Sequence, residues 1–506
     1  MLTLSDPGLS YGFAKRAGVL LLAMGETARV ALREGADPAA LIEARRVLGR
    51  PLEIERLAPA AFDRRFSEVY AGEGLSASSA DSVEMAGGLE SLLDDLPETA
   101  DLLDPQDEAP VIRLINGVIA EAVRLSASDI HVEPFEQALV VRFRIDGVLR
   151  EILRLPQRIA PLLVSRIKVM ARLDIAEKRI PQDGRISLAL GGKSLDVRVS
   201  TLPARVGERV VLRLLDKDQA GLRLSDLGMT PAILRRFEAA VREPHGIVLV
   251  TGPTGSGKTT SLYAGLGLLN TTACNILTIE DPVEYAVQGV GQTQVNAKVG
   301  MTFAAGLRAI LRQDPDVVMV GEIRDSETAQ IAVQASLTGH LVLSTVHTND
   351  AAGAVTRLRD MGVEPFLLAS TLRLVVAQRL VRRLCPHCRQ PWPADAAAAR
   401  LLEVAEGQTL WRTAGCEACN HTGYAGRVGI FEALAITDEV RRLIGADGDE
   451  EALARAGLAE TGDLAASARA LVLEGQTTLE EVLRVTRQRV EGAAPAPGPE
   501  LVHGGV

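Results

Sequence analysis

An apolar strand that runs directly into a glycine-rich loop constrains the fold of this chain more than any other feature. Residues 246–251 are Gly-Ile-Val-Leu-Val-Thr, which is typical of a short buried strand. Gly252, Gly255 and Gly257 follow, and they allow the backbone to curl so that its N–H groups converge on a phosphate. Lys258 then supplies a positive charge for the β and γ phosphate oxygens. The pattern predicts a phosphate-binding loop between a strand and a helix.

The residues predicted to bind the nucleotide form one continuous segment. They are Gly252, Pro253, Thr254, Gly255, Ser256, Gly257, Lys258, Thr259 and Thr260. The hydroxyl of Thr259 is expected to bind Mg²⁺, and the helix that begins there points the positive end of its dipole at the same anion. A chance match to a glycine-rich turn is the alternative, and the strand before the loop and the helix after it disfavour that alternative.

Two further apolar strands end in acidic residues. Residues 275–281 reach Glu280, and residues 317–322 reach Glu322. Because the carboxyl ends of parallel strands meet at the ligand edge of a sheet, both carboxylates are expected to reach the phosphate site. One would hold Mg²⁺ or its bound water, and the other would orient the attacking water as a general base. Acidic helix caps are the alternative interpretation for either residue.

Two histidines flank a third apolar strand, at residues 341–346. His340 precedes this strand and His347 follows it. A single histidine in such a place is more often structural than functional. Two histidines that bracket one strand in a domain of this type favour a phosphate-sensing role.

Length and composition limit the class of protein. A chain of 506 residues is too long for one core, and we expect three or four domains. Its net charge of -10 argues against a primary role on nucleic acid, which usually requires a basic surface. No apolar run approaches the ~18 residues of a membrane span. We therefore expect a cytoplasmic protein.

Four of the five cysteines form two Cys-x-x-Cys motifs. The first motif is Cys385 and Cys388, and the second is Cys416 and Cys419. Four thiolates in two tight turns match tetrahedral Zn²⁺, whereas a redox pair or an iron–sulfur cluster is the alternative. A cytoplasmic location and the duplicated motif favour structural zinc.

The motifs resemble, in the same order, those of the secretion ATPases, the superfamily of type II secretion, type IV secretion and pilus motors. The glycine-rich loop resembles their Walker A motif, and residues 279–284 resemble their Asp box. Residues 321–325 resemble the Walker B motif, and residues 338–349 resemble the His box. The most similar branch is the assembly ATPase of type II secretion systems, because residues 11–20 resemble its short N-terminal segment.

The resemblance implies an α/β fold built on a RecA-like P-loop ATPase domain. Residues 127–134 and 181–185 are similar to a PAS-like α+β middle domain. The helical spacing of Leu41, Ile42, Val47 and Leu48 predicts a small helical docking domain before it. Together with composition, these features predict seven segments. They are an N-terminal docking domain (1–70), an acidic linker (71–109), the middle domain (110–220), the ATPase domain (221–383), a tetracysteine zinc subdomain (384–430), C-terminal helices (431–490) and a disordered tail (491–506).

The resemblance also implies roles for individual residues. Lys258 and Thr259 would bind phosphate and Mg²⁺, Glu280 would be the general base, and Glu322 would be the Walker B acid. Arginines of the middle domain would close on the nucleotide, since a planar guanidinium pairs with a phosphate through two hydrogen bonds. The candidates are Arg185 and Arg198, with Arg209 and Arg213 behind them.

The implied protein is a cytoplasmic homo-hexamer that hydrolyses ATP to drive pseudopilus assembly and protein export. Its N-terminal domain would dock on inner-membrane platform proteins, so that it lies peripherally at the inner membrane, and no nucleic acid is involved. A pilus extension ATPase of the type IV system shares every core motif and is the nearest alternative. A nucleic-acid motor is a second alternative, which the acidic charge and the aromatic content of 3% disfavour.

Overall fold

The computed structural model describes residues 9, 13–14, 17–70, 108–190, 193–215 and 222–486. The chain divides into two units, Met1–Lys217 and Asp218–Val506. Almost all of the predicted acidic linker and the whole predicted tail lie outside the described residues. Within the described residues, no helix has both the length and the apolar character needed to cross a bilayer.

A small three-stranded sheet with two helices forms the N-terminal part of the first unit. Strands β1–β3 are Val19–Met24, Ala28–Arg33 and Leu52–Leu57, and helices α1 and α2 are Ala40–Leu48 and Pro59–Tyr70. Strand β2 is central, with β1 antiparallel and β3 parallel to it.

This sheet corrects the expectation of a helical N-terminal domain. Helix α1 is present, but Ile42 and Val47 are exposed, at 75% and 51%, whereas Ala44 and Leu48 are buried. The core consists mainly of apolar residues from β1 and β2. Each of these strands has six residues, and so short an apolar run does not distinguish a strand from a helix by its periodicity.

A six-stranded antiparallel sheet forms the rest of the first unit. Helices α3 and α4 are Glu108–Arg124 and Ala160–Met170, and strands β4–β9 are Ala127–Pro134, Ala138–Ile145, Val148–Pro156, Gln182–Leu190, Lys193–Pro203 and Glu208–Leu215. The strand order is β6-β5-β4-β9-β8-β7. Apolar residues of α3 and α4 pack on one face of the sheet in a single core, as expected for an α+β middle domain.

A seven-stranded sheet forms the centre of the second unit. Strands β10–β15 are Gly246–Thr251, Ile276–Glu280, Gly291–Gln294, Val317–Val320, Leu341–Val346 and Leu372–Leu384, and β18 is Tyr424–Ala435. The order is β12-β11-β13-β14-β10-β15-β18, and all neighbours are parallel except β15 and β18. Helices α5–α10 are Pro231–Val241, Lys258–Leu269, Phe303–Ile310, Ser326–Leu337, Ala351–Asp360 and Pro365–Thr371.

Helices cover both faces of this sheet. On β10, Ile247 and Leu249 belong to one core cluster, which includes residues of α7, α8 and α9. Val248 and Val250 belong to a second cluster, which includes residues of α5 and α6. Because successive side chains of a strand point to opposite faces, a continuous apolar strand is buried on both sides. The predicted α/β fold of the ATPase domain is confirmed.

A smaller subdomain and the last helices pack beyond β15. Strands β16 and β17 are Gln390–Pro393 and Thr409–Arg412, and helices α11–α15 are Ala396–Leu402, Asp438–Gly445, Glu450–Gly457, Leu464–Leu473 and Leu479–Thr486. Strands β16 and β17 pair antiparallel. Leu402, Leu410 and Val482 share one core with Val381 of β15, so the subdomain is built onto that strand.

A buried ion pair crosses the core of the first unit. Lys168 Nζ on α4 lies 2.8 Å from Glu208 Oε1 on β9, and their side chains are 1% and 4% exposed. The same ammonium group donates to the carbonyl oxygen of Glu177 at 2.6 Å. Removal of either charge would leave its partner buried without compensation.

We therefore expect Glu208→Gln to lower the free energy of unfolding of this sheet by about 3–5 kcal/mol. Glu151→Gln is the matched control, because Glu151 pairs with Arg154 at an exposed position, and its cost should stay below about 1 kcal/mol. Hydrogen exchange of the amides of β8 and β9 measures both effects in the full chain. Equal protection in the two variants would contradict this estimate.

Candidate nucleotide and metal sites

The glycine-rich loop joins β10 to α6. Gly252, Gly255 and Gly257 have positive φ angles of 143°, 78° and 85°. A Cβ at Gly252 would lie 2.3 Å from the carbonyl oxygen of Gln378 on β15, so only glycine fits there. Helix α6 begins at Lys258, directly after the loop. The positive end of its dipole therefore lies at the carboxyl end of β10.

Lys258 is buried against this loop. Its ammonium group donates to the carbonyl oxygens of Gly252 at 2.8 Å and Pro253 at 3.0 Å. Burial lowers the pKa of Lys258 to about 8, and the negative charge of Glu322 opposes that shift. The ammonium group thus remains available as a cation for phosphate oxygens near neutral pH.

The outer side of the loop is accessible. Pro253, Thr254 and Gly255 are exposed, whereas Ser256 is buried. Thr259 and Thr260, in the first turn of α6, are partly exposed. A ligand can therefore reach the backbone N–H groups of the loop and the two threonine hydroxyls.

Two side-chain contacts hold the loop to the neighbouring strands. Thr251 Oγ1 lies 2.6 Å from Thr348 Oγ1 and accepts the backbone N–H of Thr348 at 2.9 Å. On the other side, Ser261 Oγ donates to Gln378 Oε1 at 2.6 Å. Thr348, just beyond the end of β14, and Gln378, in the middle of β15, thus fix the position of the loop.

Glu322 follows β13 and lies at the same edge of the sheet. Its side chain is 12% exposed and forms an ion pair with Arg324. Its Oε2 lies 3.1 Å from Nε2 of His347, which follows β14. Strands β13, β14 and β10 are parallel neighbours, so Glu322, His347 and the loop with Lys258 follow their carboxyl ends at one edge of the sheet. Although burial lowers the pKa of Lys258, the negative charge of Glu322 acts to raise it, in keeping with this arrangement.

His340 lies at the opposite end of β14. Its Nδ1 is 2.9 Å from the carbonyl oxygen of Ala335 and 3.1 Å from Oγ1 of Thr338. At about 3.3 Å per residue, the six residues of β14 separate it from the loop edge by roughly 20 Å. The structure brings His347 to the site and does not bring His340 there.

Glu280 ends β11 and is buried, with 2% exposure. Tyr263 on α6 donates its hydroxyl to Glu280 Oε2. Thr278 Oγ1 donates to Oε1 at 2.5 Å, and Gln292 Nε2 donates to Oε1 at 3.2 Å. The carboxylate is thus held by three uncharged donors.

The predicted arginines lie in the first unit, on one face of its larger sheet. Arg185 on β7 is directly opposite Arg198 on β8, and Arg198 is opposite Arg213 on β9. Arg213 Nε donates to Asp129 at 2.9 Å, and Arg209 lies on the same face of β9. Opposite residues of neighbouring strands share a face, so Arg185, Arg198 and Arg213 form a row across β7–β9, here called the cationic row. Arg209 lies outside this row and pairs with Glu133.

The four cysteines meet at one point. Their sulfur atoms all lie within 4.8 Å of one another. The distances from Cys385 to Cys416, Cys388 to Cys419 and Cys416 to Cys419 are 3.9, 3.8 and 3.7 Å. Four sulfurs about 2.3 Å from a tetrahedral ion would be ~3.8 Å apart. The group can therefore hold a metal ion.

Backbone donors favour the thiolate of Cys419, whereas burial raises the pKa values of Cys388 and Cys416. Although burial acts in the opposite direction, N–H groups of Cys416 and Gly423 lower the pKa of Cys419 to about 6. Those two N–H groups lie 3.3 and 3.2 Å from Cys419 Sγ. A thiolate is the form that binds metal.

Most of the chain matches a known family. Residues 104–484 match the model described as type II/IV secretion system protein. The chain belongs to that family. Residues 8–70 also match the model of an N-terminal domain of GSPII protein E.

Relatives are similar over nearly the whole length. The chain is 56% identical over 489 residues to the type II secretion system protein E of Klebsiella pneumoniae. This alignment covers 96% of the chain and 98% of the relative. The chain is 57% identical over 484 residues to the protein of the same name from Pseudomonas aeruginosa, which covers 95% and 96%. The crystal structure of the pilus retraction motor PilT with bound ADP is similar, with 27% identity, coverage of 72% and 95%, and a TM-score of 0.50. The predicted family and the predicted enzyme class, a secretion ATPase, are confirmed.

The sequence patterns did not predict a role for several residues at this site. Tyr263 and Gln292 contact Glu280, and Gln378 contacts the loop. Arg324 lies inside a segment that was identified but had no role assigned. Tyr263 looks like an apolar helix residue in the sequence. Gln292 lies 12 residues from Glu280 on the next strand, and Gln378 lies 117 residues from Ser261, so no local pattern distinguishes them.

Proposed function

We propose that this chain is the ATPase that powers a type II secretion system, using ATP hydrolysis to assemble a pilus-like fibre that drives folded proteins outwards. The observation that carries the proposal is the meeting of Lys258, Glu322 and His347 at the edge of the sheet where the loop lies. A cation, an acid and a histidine beside a phosphate-binding loop are suited to phosphoryl chemistry.

In the proposed reaction, Lys258 and the loop N–H groups bind the β and γ phosphates. Mg²⁺, when bound with the nucleotide, offsets the negative charge of the phosphate oxygens. Thr259 and Glu322 offer the hydroxyl and carboxylate oxygens that this ion prefers. Glu280 accepts a proton from the attacking water. The water oxygen bonds to the γ-phosphorus, and the bond between this phosphorus and the β–γ bridging oxygen breaks, so that ADP leaves. His347 and Arg324 orient Glu322.

Lys258→Ala tests the activity and the biological role together. We expect ATP hydrolysis by the purified variant and secretion by a strain that carries it to fall to background, because the loop loses the cation that orders the phosphates. Lys298→Ala removes an exposed lysine of the same unit and is the matched control. Turnover close to that of the unmodified chain in Lys258→Ala would exclude the proposed site.

The proposed partners are further copies of the chain and the inner-membrane platform of the secretion system. The match of residues 8–70 to the model of an N-terminal domain of GSPII protein E supports docking through this part of the chain. In this proposal the protein is a cytoplasmic hexamer at the inner membrane, held there by its partners. A type IV pilus extension ATPase would copurify with the pilus platform instead, and stimulation by DNA would favour the nucleic-acid motor.

The cationic row supports a role for Arg185 and Arg198 at the phosphates of a neighbouring subunit. Arg213 faces the carboxylate of Asp129 in this row, whereas Arg185 and Arg198 lie on the two outermost strands at that edge of the sheet. Guanidinium groups presented from a rigid sheet are suited to bidentate phosphate binding. The two residues would then complete the site only after assembly.

We expect Arg198→Ala to lower kcat about a hundredfold or more, as loss of a phosphate-binding arginine does in other NTPases. Arg154→Ala, at an exposed position of the same sheet, should have no comparable effect. Mixing Arg198→Ala with Lys258→Ala should restore part of the activity, because one variant supplies the arginine and the other supplies the lysine. A mixture without activity would show that the arginine does not act between subunits.

Zinc is the proposed occupant of the four-cysteine group, because thiolates at tetrahedral spacing are its preferred ligands and leave no open position. We expect elemental analysis to find about one zinc per chain, and Cys385→Ser/Cys388→Ser to lose it. The double variant should also show faster hydrogen exchange around residues 384–430, while Cys274→Ser, outside the cluster, keeps the metal. An intact fold without metal would contradict a structural zinc site.

A further inference from the structure

Among the described residues, the hydrogen bonds to the buried carboxylate of Glu280 leave one position for a further donor. Each carboxylate oxygen can accept two hydrogen bonds. Oε1 accepts from Thr278 and from Gln292, so both of its positions are used. Within the described part of the chain, Oε2 accepts from Tyr263 alone. A water that gives its proton to Glu280 can therefore approach one oxygen from one direction.

The side chains of the two larger donors, Tyr263 and Gln292, are themselves held in place by neighbouring residues. The ring of Tyr263 packs edge-on against that of Tyr285, with centroids 4.7 Å apart and an angle of 88°. Gln292 Oε1 accepts the N–H of Val287 at 2.7 Å, while its Nε2 lies 3.1 Å from the carbonyl oxygen of Tyr285. Burial raises the pKa of Tyr263, and the neighbouring Glu280 adds to this shift, so the phenol stays a proton donor.

Tyr263 also connects the base to the phosphate loop. It lies five residues after Lys258 on the same helix, α6, whereas Glu280 lies on β11. In the sheet, β13 and β14 lie between β11, which ends at Glu280, and β10, which leads into the phosphate loop. The sheet therefore connects Glu280 to the loop only through these two strands. The phenol is thus a direct side-chain contact between the helix that follows the loop and the carboxylate.

We propose that Tyr263 and Gln292 are positioning residues, which orient the carboxylate of Glu280 so that the free position of Oε2 faces the attacking water. This inference rests on the proposed role of Glu280 as general base. A base held at a defined angle is more effective than a rotating one, since the loss of orientation lowers the rate of proton transfer. Both residues act through Glu280 and do not touch the nucleotide.

Tyr263→Phe removes one hydroxyl and keeps the ring, so it is the central variant. We expect kcat to fall roughly tenfold, which corresponds to one hydrogen bond to a charged group, with KM and ADP affinity unchanged. Tyr285→Phe removes a hydroxyl from the adjacent ring, which makes no hydrogen bond to Glu280, and should keep the original kcat. Gln292→Met should lower kcat as Tyr263→Phe does.

A double-mutant cycle separates positioning from general damage. In a Glu280→Gln background, Tyr263→Phe should cause no further loss, measured by single-turnover release of radiolabelled phosphate. If Tyr263→Phe keeps full kcat, or if the two effects simply add, the positioning role is excluded while the base assignment stands. If Glu280→Gln itself keeps full activity, the base assignment fails, and the positioning role fails with it. Unchanged melting temperatures and ADP affinity exclude misfolding as the cause.

Discussion

The pairing of β15 with β10 is the contact on which the rest of the second unit depends. Residues 374–377 of β15 lie in register with residues 248–251 of β10, and all of them are buried. One residue further, Gln378 reaches the loop and sets the close approach at Gly252 that excludes any side chain there. The same strand ends directly before Cys385. One continuous strand therefore forms one side of the phosphate loop and leads directly into the first cysteine of the four-cysteine group.

The two acids at the sheet edge lie in different electrostatic surroundings, and this difference supports their separate roles. Glu280 is held by three uncharged donors, whereas Glu322 lies between Arg324 and His347 and acts on Lys258. Neutral donors orient a carboxylate without neutralising its charge, which suits a base. The guanidinium of Arg324 and the ammonium of Lys258 supply positive charge beside Glu322, in the site proposed to accept phosphate and a divalent ion.

Local patterns predicted the elements that carry the chemistry, and long-range contacts supplied the rest. The strand before Gly252 and the strands that end at Glu280 and Glu322 are recognisable because a buried parallel strand is a continuous apolar run. The same rule should have excluded His340, since the two ends of a parallel strand lie at opposite edges of the sheet. Tyr263 could not be predicted, because its role depends on a hydrogen bond to Glu280, which lies 17 residues away on a different element.

Helix α15, near the C-terminus, holds β15 in place between the phosphate loop and the four cysteines. Arg382 of β15 pairs with the buried Glu481 of α15 at 2.8 Å and lies 4.0 Å above the ring of Tyr424. Arg379 donates to the carbonyl oxygen of Val485 at 2.6 Å and to that of Asn349, beyond β14, at 3.2 Å. A shift of β15 would break these bonds and leave Glu481 without one of its counter-ions, at considerable cost. Ordering the cysteine end of the strand therefore also fixes Gln378, the residue in the middle of β15 that faces the phosphate loop.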